Sequence, residues 1–402
     1  MIVLVINAGS SSVKFTCFDM AAGRKVLASG LIERIGIDGT SMKYTNHRGE
    51  VIKGEVPVKD AKDAVKVISE RLVDPKAGVL KSLSEVKAIG HRVVHGGESI
   101  TAPVIVNDQV KATIRECFAI APLHNPPNLA GIEACEAVFP GVANAAVFDT
   151  AFHATMPPHA FLYGIPYDLY TEHKIRRYGF HGTSHAYVSR QAAELLGKKP
   201  ADIKVIVCHL GNGGSISAVD RGKCVDTSMG LTPLEGLIMG TRSGDMDPAI
   251  VWNIMRIKGL DGPGVDNFLN KKSGLLGLAG INSSDLRDIE AGHQAGNKQC
   301  TQAIETYAYR VKKYIGSYIA ALGGVDVVAF TAGVGENSAS TRALVLKGLQ
   351  GLGFKLDSAK NDVRSAEPRL VSTPDSPVKI AVIPTDEEQE IAGQTFDLVN
   401  KK

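Results

Sequence analysis

The segment VINAGSSSVKF, residues 5–15, joins two apolar strands through a loop of small residues and three serines. The second strand carries Lys14 between Val13 and Phe15. Because side chains alternate between the two faces of a strand, Lys14 is predicted to point away from its apolar neighbours. A loop rich in backbone N–H groups, followed by a cation, is a favourable place for a phosphate. A solvated hairpin loop with a surface lysine explains the same segment, and on this stretch alone that simpler interpretation is favoured.

The pattern of strand, loop and strand recurs later in the chain. A second copy is IKVIVCHLGNGGSISAV, residues 203–219, and a third is VDVVAFTAGVGENS, residues 325–338, which follows a long amphipathic helix. This pattern predicts a duplication, with two similar α/β halves and a nucleotide in the cleft between them. Taken alone, HLGNGG at residues 209–214 is equally typical of a tight turn. The sequence contains neither a Walker A motif nor the glycine pattern of dinucleotide-binding proteins.

Composition excludes several classes of protein. The 402 residues exceed one ordinary core, so we expect roughly two or three domains. A net charge of +3 lacks the basic excess of a nucleic-acid binder. The six cysteines are dispersed without a CxxC pair, which argues against a disulfide scaffold and fits a reducing compartment. The run MIVLVI is predicted to be a buried strand, and no apolar stretch is long enough to span a membrane. We therefore expect a cytoplasmic protein that binds no membrane.

Further helices and strands are predicted from the spacing of apolar residues and from residues that typically begin or end an element. Apolar spacing predicts a helix over residues 60–73, and continuous apolar runs predict strands over 86–97 and 144–153. A helix over 184–197 is expected to begin with Ser184 as its N-cap. Six glycines between residues 259 and 280 predict a mobile surface segment.

Two arginines stand in unusual surroundings. Arg92 lies in an otherwise apolar strand, where a lone guanidinium is costly unless it is paired or lies at a cleft. Arg242 lies among small residues in the stretch MGTRSGDMDP. The planar fork of arginine suits carboxylate and phosphate groups alike, so both are candidate ligand contacts. An interdomain salt bridge is the alternative for each arginine.

The histidines do not make a convincing zinc site. His91 and His95, and again His181 and His185, have a four-residue spacing. The first pair lies on a predicted strand, where that spacing separates the side chains by about 13 Å. The second pair lacks the glutamate of an HExxH motif. A structural or substrate-binding role is therefore favoured over a metal role.

Together, the motifs resemble one family. They are VINAGSSSVKF, HRVVHGG, PLHNPPN, AVFDTAFH, RRYGFHGTSH, HLGNGGS, VDTSMGLTPLEGLIMGTRSGDMDP, SSDLRD, TAGVGENS and IPTDEE. In this order they resemble the acetokinase family, from residue 2 to about residue 393. The resemblance implies an α/β protein with the duplicated, ribonuclease-H-like two-domain fold of actin, Hsp70 and sugar kinases, and a central nucleotide cleft. The implied N-terminal domain covers 1–152, completed by 385–402, and the C-terminal nucleotide-binding domain covers 153–384.

The resemblance also implies the roles of individual residues. Catalytic roles fall on Asp149, His181 and Arg242, and metal contacts on Asn7 and Glu387. The substrate carboxylate falls to Arg92, and an apolar pocket for its methyl group to Val94, Leu123, Phe180 and Pro233. Nucleotide contacts fall on Lys14, His209, Leu210, Gly211, Asn212, Gly213, Asp285, Leu286, Arg287, Gly333, Val334, Gly335, Glu336 and Asn337. Two positions depart from the family pattern: Asp386 replaces a usual Asn, and Gly214 replaces a usual Ala.

The implied reaction is reversible phosphoryl transfer between ATP and acetate, giving acetyl phosphate and ADP with Mg²⁺ or Mn²⁺, in a homodimer. Propionate is the alternative acid. A nucleotide-gated binding protein is the alternative from another class, because fold alone does not determine function. Acetate is already ionised at neutral pH, so no strong base is needed. We therefore expect Asp149 to orient Arg242 and the magnesium shell rather than to transfer a proton.

Overall fold

Strands and helices alternate along most of the chain in the computed structural model, which describes residues 1–401. The strands are β1 (Ile2–Ala8), β2 (Ser12–Asp19), β3 (Lys25–Glu33), β4 (Ser41–Asn46), β5 (Val51–Glu55), β6 (Val86–Val93), β7 (Val104–Ile105), β8 (Ala143–Phe148), β9 (Lys204–Leu210), β10 (Gly214–Asp220), β11 (Lys223–Thr227), β12 (Val327–Thr331), β13 (Arg369–Leu370) and β14 (Lys379–Val382). The helices are α1 (Ala61–Leu72), α2 (Asp108–Glu116), α3 (Asn125–Val138), α4 (Pro158–Phe161), α5 (Asp168–Thr171), α6 (Gly182–Leu195), α7 (Ala249–Lys258), α8 (Gly262–Lys271), α9 (Gly274–Ala279), α10 (Leu286–Gln294), α11 (Lys298–Leu322), α12 (Ala332–Asn337), α13 (Ala339–Leu346), α14 (Ser358–Asp362) and α15 (Glu387–Asn400).

The chain forms two compact units. The first contains Met1–Ala154 together with the segment that begins at Asp386, and the second contains Thr155–Thr385. The first unit is built on a sheet in the order β5-β4-β3-β2-β1-β6-β8-β7, and the second on a sheet in the order β11-β10-β9-β12-β14-β13. The predicted α/β class is confirmed.

The central five strands of the two sheets share one topology. In the first unit β1 pairs antiparallel with β2 and parallel with β6, and β6 pairs parallel with β8. In the second unit β9 pairs antiparallel with β10 and parallel with β12, and β12 pairs parallel with β14. A further antiparallel strand, β3 or β11, completes each pattern. The repeat recognised in the sequence is therefore part of a duplicated five-stranded core, in agreement with the predicted duplication.

The opening strand is apolar throughout because both of its faces are buried. Val3 and Val5 belong to the same core cluster as Ile391 of α15. The alternate residues Leu4 and Ile6 belong to the cluster that includes α1 and the end of α3. A strand covered on both sides shows a continuous hydrophobic run rather than alternation. This explains why MIVLVI is apolar throughout and does not alternate like an amphipathic strand.

In the second unit the predicted amphipathic helix is α11. Its buried stripe recurs every three or four residues and includes Ile304, Tyr307, Val311 and Ile315. The stripe belongs to one core cluster with the strand residue Ile206 and its neighbours on β9. In residues 1–401 no helix is both long and apolar enough to cross a bilayer. All six cysteines are buried free thiols.

Three local predictions are wrong. The segment 259–280 is not a mobile loop, because it contains α8 and α9 with Val265, Leu269 and Leu275 in the core. The strand predicted over 144–153 ends at Phe148. In the third copy of the repeat, β12 runs directly into the short helix α12 instead of a second strand.

Candidate active site

Three predicted site residues lie at the carboxyl edge of the first sheet. Asn7, Arg92 and Asp149 lie at the ends of the parallel strands β1, β6 and β8. By strand alternation Asn7 shares the face of Val3 and Val5, which is the face covered by α15. The carboxyl edge of parallel strands is the usual place for ligands in open α/β sheets.

Arg92 and Asp149 form a bidentate ion pair. Arg92 Nη2 donates to Asp149 Oδ2 at 2.6 Å, and Arg92 Nε lies 3.2 Å from both carboxylate oxygens. Asp149 is only 2% exposed and Arg92 24%. Asp149 raises the pKa of Arg92, so the guanidinium is held in its charged form. Within its own unit Asp149 pairs with Arg92, for which the sequence had suggested either a ligand contact or an interdomain salt bridge. Orientation of Arg242 by Asp149 stays a prediction.

The amino end of α15 brings acidic residues to the same edge. Asp386 is the N-cap, and its Oδ1 accepts the N–H of Gln389 at 2.8 Å. Aspartate and asparagine cap helices about equally well, so this departure from the family pattern preserves the cap. Burial raises the pKa of Glu387, and the charge of Arg92 lowers it in part. Two residues predicted to contact metal, Asn7 and Glu387, thus flank the ion pair in the first unit.

Lys14 has a protein partner. As predicted, it lies opposite the buried Val13 and Phe15. Its Nζ forms an ion pair with Glu388 Oε1 at 2.5 Å, and Thr16 Oγ1 donates to Glu388 Oε2 at 3.3 Å. Lys14 is therefore held on the face of the sheet occupied by the amino end of α15.

His181 occupies the entrance to α6 in an unusual backbone conformation. The helix begins at Gly182, with His181 rather than Ser184 as its N-cap, so the predicted start was wrong. His181 has φ of 58° and ψ of 22°, a left-handed conformation that is uncommon for residues other than glycine. Such conformations cost free energy and are concentrated at functional sites.

Serine and histidine side chains fix the ring of His181. Its Nδ1 forms a hydrogen bond with Ser215 Oγ at 2.9 Å, and the same oxygen contacts His185 Nε2 at 2.7 Å. His185 Nδ1 in turn contacts Ser217 Oγ at 2.8 Å. The ring also stacks on His209, with centroids 4.3 Å apart. This chain of bonds explains the spacing of His181 and His185 without a metal.

His181 and Arg242 converge beside the glycine loop. A Cβ built on Gly213 would lie 3.5 Å from Arg242 Nη1 and 3.6 Å from His181 Nε2. Arg242 Nη1 also donates to the Pro233 carbonyl at 3.2 Å. Burial lowers the pKa of Arg242. The structure therefore brings an imidazole and a guanidinium together at the end of the predicted phosphate loop.

A cavity of 760 Å³ opens next to this loop. Its lining includes the predicted nucleotide residues Gly211, Asn212, Asp285, Leu286, Arg287, Gly333, Val334 and Asn337. It also includes residues that we did not predict, which are Gly240, Leu275, Ser284, Glu290, Tyr307, Ser338 and Arg364. Several of these lie next to a predicted segment, so extension of each motif by one residue would have found Ser284 and Ser338.

Four further nucleotide candidates lie outside the lining of this cavity. Glu336 Oε1 accepts the backbone N–H groups of Ala332 at 2.8 Å and of Thr385 at 3.1 Å. His209 Nδ1 contacts Ser184 Oγ at 2.8 Å. Leu210 and Gly335 are buried. These four are absent from the described lining of the cavity, so their contact with a nucleotide stays a prediction.

Asp285 and Arg287 form one local unit at the start of α10. Asp285 is the N-cap, and its carboxylate accepts from Arg287 Nε at 3.0 Å and from Nη2 at 2.5 Å. These hydrogen bonds lower the pKa of Asp285 to about 2. The guanidinium of Arg287 remains largely exposed at the cavity.

The four residues predicted to bind the methyl group differ in burial. Val94 and Phe180 are buried and Pro233 is half-buried, whereas the side chain of Leu123 is 63% exposed. Val94 and Leu123 belong to the first unit, and Phe180 and Pro233 to the second. Their assembly into one pocket stays a prediction.

Comparison with known proteins identifies the family. A model of the acetokinase family matches residues 2–393. The chain is 53% identical over 399 residues to the acetate kinase of Alkaliphilus metalliredigens, covering 99% of this chain and 100% of the relative. It is 52% identical over 400 residues to the acetate kinase of Clostridioides difficile, covering 99% and 100%.

Solved structures agree with this assignment. The Porphyromonas gingivalis acetate kinase superposes with a TM-score of 0.95 at 46% identity, covering 99% of this chain and 100% of that one. A propionate kinase from Francisella tularensis gives a TM-score of 0.91 at 42% identity, with 99% of each chain covered. The predicted fold is thereby confirmed, and the protein belongs to the acetokinase family.

Proposed function

We propose that this protein transfers the γ-phosphoryl group of ATP to acetate, reversibly, giving acetyl phosphate and ADP. The observation that carries the proposal is the convergence of Arg242 Nη1 and His181 Nε2 at Gly213, beside the 760 Å³ cavity. A phosphoryl group at the inner end of a nucleotide in this cavity would meet both groups. Phosphoryl transfer depends mainly on such positioning and charge stabilisation.

Arg92 binds the acceptor in this proposal. The ion pair with Asp149 uses Nε and Nη2, so the Nη1 side of the guanidinium is left for the carboxylate of acetate. An acetate oxygen attacks the γ-phosphorus, and the bond from that phosphorus to the β-bridging oxygen breaks, so ADP departs with the electron pair. Acetate is already anionic at pH 7, and Asp149 therefore serves as the positioning partner of Arg92.

The second unit stabilises the transferred group. Arg242 and His181 neutralise charge that spreads over the equatorial oxygens, and an arginine in this role is worth about 10³–10⁵ in rate. The hydrogen bond with Ser215 Oγ fixes the Nδ1 side of the His181 ring. The Nε2 side then faces Gly213 and the phosphoryl group.

Oxygen donors of the first unit fit a divalent cation. Within residues 1–401 no group of three or more His, Cys, Asp or Glu side chains forms a metal cage. Mg²⁺ usually binds through one or two carboxylates together with water and substrate phosphates, so Asp149 and Glu387, with the amide of Asn7, match its needs. We propose Mg²⁺, with Mn²⁺ as a substitute. The bound ion would neutralise charge on the nucleotide phosphates.

The assembly of the site requires both units. Asn7, Lys14, Arg92, Asp149 and Glu387 come from the first, and His181, Arg242 and the nucleotide segments come from the second. We propose that they correspond to the domains 1–152 with 385–402, and 153–384, and that the two close around the nucleotide. The contact units support these boundaries.

We further propose a homodimer in the cytoplasm. Helix α7 supports the dimer, because it contains no buried residue and exposes Trp252 by 69% and Ile257 by 73%. Large apolar patches on a soluble protein usually mark an interaction surface.

A hydroxamate assay of acyl phosphate formation tests the proposed function. The purified protein is supplied with ATP, Mg²⁺ and acetate, propionate or butyrate. We expect the highest kcat/KM with acetate. The highest kcat/KM with propionate would favour the alternative, a propionate kinase. The similarity to the Francisella tularensis propionate kinase is the reason for including propionate. ATP consumption that does not depend on any carboxylate would contradict both.

A further inference from the structure

Arg177 is a largely buried charge that the proposed mechanism does not use. It lies four residues before His181, and its side chain is 16% exposed. Its Nη2 donates to Glu235 Oε1 at 2.6 Å. Its Nη1 points at three successive carbonyls, those of Thr227 at 3.0 Å, Ser228 at 3.2 Å and Met229 at 3.2 Å. One guanidinium therefore binds both ends of the loop between Thr227 and Glu235.

Glu235 and Tyr163 add further hydrogen bonds to the same loop. Glu235 Oε2 accepts from Tyr163 Oη at 2.5 Å, and that hydroxyl accepts the N–H of Leu231 at 2.9 Å. A Cβ on Gly230 would collide with the Glu235 carboxylate and the Tyr163 hydroxyl, so the loop backbone lies directly against both groups. We call residues 227–236 the clamp loop.

The clamp loop reaches the phosphoryl site. Its Pro233 carbonyl accepts from Arg242 Nη1 at 3.2 Å. Its end is tied to the segment that follows Arg242, because Gly236 N donates to Asp245 Oδ1 at 2.7 Å and Asp245 N donates to the Gly236 carbonyl at 3.0 Å. The loop also accepts, at the Gly230 carbonyl, from the backbone N–H groups of Tyr178 and Gly179, shortly before His181.

Arg177 is charged although it is buried. Burial by itself lowers the pKa of Arg177. Glu235 and neighbouring groups raise this pKa by more than burial lowers it, so the net shift is upward. A buried ion pair is a weak source of stability, because desolvation offsets much of the attraction. Its better supported use is to select one arrangement among several. Here the selected arrangement is that of the loop between the two phosphoryl-binding residues.

We propose that Arg177, together with Glu235, is a positioning residue that sets the place of Arg242 through the clamp loop. This inference rests on the proposed function for Arg242. Lysine cannot replace Arg177, because a single ammonium does not present the planar fork that reaches a carboxylate and three carbonyls at once. Loss of the Arg177 guanidinium lets the clamp loop move at Pro233. Arg242 then loses its fixed orientation but keeps its charge.

A double-mutant cycle tests the proposal. We expect Arg177→Lys to lower kcat about tenfold or more in the otherwise unchanged protein, with KM for acetate within about twofold, as for loss of an interaction made in the transition state. In an Arg242→Lys background the same change should lower kcat less than about twofold, because the residue it positions is already altered. The matched control is Arg115→Lys, since Arg115 Nη2 lies 2.6 Å from Glu133 Oε1 in the first unit. The control should change neither constant.

Several results would overturn the proposal. An equal fall of kcat in both backgrounds would show that Arg177 acts independently of Arg242, and an unchanged kcat would show that it does not act at all. If Arg177→Lys fails to fold, Glu235→Gln enters the same cycle with the same expectations. Hydrogen exchange provides a readout that needs no activity, because amides of residues 229–242 should exchange faster in Arg177→Lys while β9 and α11 stay protected. Faster exchange throughout the second unit would contradict a positioning role. Absence of acyl phosphate from the unaltered protein would instead contradict the proposed function.

Discussion

Arg92 and Asp149 are joined across the neighbouring parallel strands β6 and β8, with Nη2 and Oδ2 2.6 Å apart and Nε shared between both carboxylate oxygens. The two residues are separated by 57 positions in the chain, and the pairing of β6 with β8 brings them together. The carboxylate is buried, whereas the arginine side chain is 24% exposed. Asp149 therefore holds the arginine in place from the interior of the sheet.

Asp149→Asn should reduce kcat severely, by about 100-fold, and should raise KM for acetate. The amide keeps the shape of the carboxylate but removes the charge that orients Arg92. Excess Mg²⁺ should recover part of the loss, and the profile of activity between pH 6 and 8 should keep its original shape. Steady-state kinetics across that range measure both effects. An ionisation that disappears from the profile, without rescue by Mg²⁺, would show that Asp149 transfers a proton.

Val94→Ala should shift the acid preference towards longer chains. Val94 is buried directly after β6, two residues beyond Arg92. Removal of two methyl groups beside the substrate carboxylate makes room for extra carbon, and each methylene in such a pocket is worth about 1–3 kcal/mol. The ratio of kcat/KM for propionate to that for acetate should therefore rise. Val104→Ala, on the edge strand β7, is a control at which the ratio should not change. An unchanged ratio in Val94→Ala would remove Val94 from the pocket.

Closure of the two units should be visible by small-angle scattering. The proposed site draws the acceptor side from the first unit and the nucleotide side from the second, so ligands that occupy both sides favour the closed state. We expect a smaller radius of gyration with ADP, Mg²⁺ and acetate than with buffer of matched ionic strength. Identical scattering profiles under the two conditions would count against closure.

His91 should make stability depend on pH. Burial lowers its pKa to about 4, although the hydrogen bond with Asn144 Oδ1 at 2.7 Å raises it in part. Because the unfolded chain binds this proton near pH 6.5, the contribution to stability is complete above that pH and is lost as the pH falls towards 4. The loss amounts to about 3 kcal/mol.

Urea unfolding at pH 7 and pH 5 measures about 2 kcal/mol of this loss, because the folded-state pKa of about 4 lies below that interval. His91→Gln keeps an amide donor for Asn144 and should lose less free energy of unfolding between the two pH values than the unaltered protein. His47→Gln, at an exposed position, is the control and should lose as much as the unaltered protein. An equal loss in His91→Gln would contradict the assignment.

The local sequence pattern predicted the strands of the sheets better than it predicted the segments between them. The runs in β1 and β9 are apolar because both faces of each strand are covered, and this property is visible in the sequence. Glycine content misled us over 259–280. The N-cap Asp261 and the apolar spacing of Val265 and Leu269 indicated a helix, whereas several of the glycines serve as helix ends.

The partners within the site were harder to predict, since they depend on strand order and not on neighbouring residues. The motifs suggested that Arg92 and Asp149 both belong to the site, but nothing in them indicated that the two form one ion pair. The clamp of Arg177 on Glu235 spans 58 residues and involves three backbone carbonyls, which no side-chain pattern can reveal. The left-handed backbone of His181 was equally hidden, because histidine is not a residue type that signals a glycine-like conformation.

Gly213→Ala should impair phosphoryl transfer while the fold is preserved. The added methyl group would lie 3.5 Å from Arg242 Nη1 and 3.6 Å from His181 Nε2, which is ordinary van der Waals contact and causes no clash. It would, however, occupy the space where both groups meet a phosphoryl oxygen. We expect kcat to fall about tenfold or more, consistent with displacement of charge-stabilising groups by a fraction of an ångström. Gly214→Ala is the matched control, since its Cβ would meet only the His209 carbonyl and Leu237 at 3.5 Å. Steady-state kinetics and thermal unfolding of the two variants test this prediction. Equal kcat values for both variants would show that Arg242 and His181 do not contact the transferred group at Gly213.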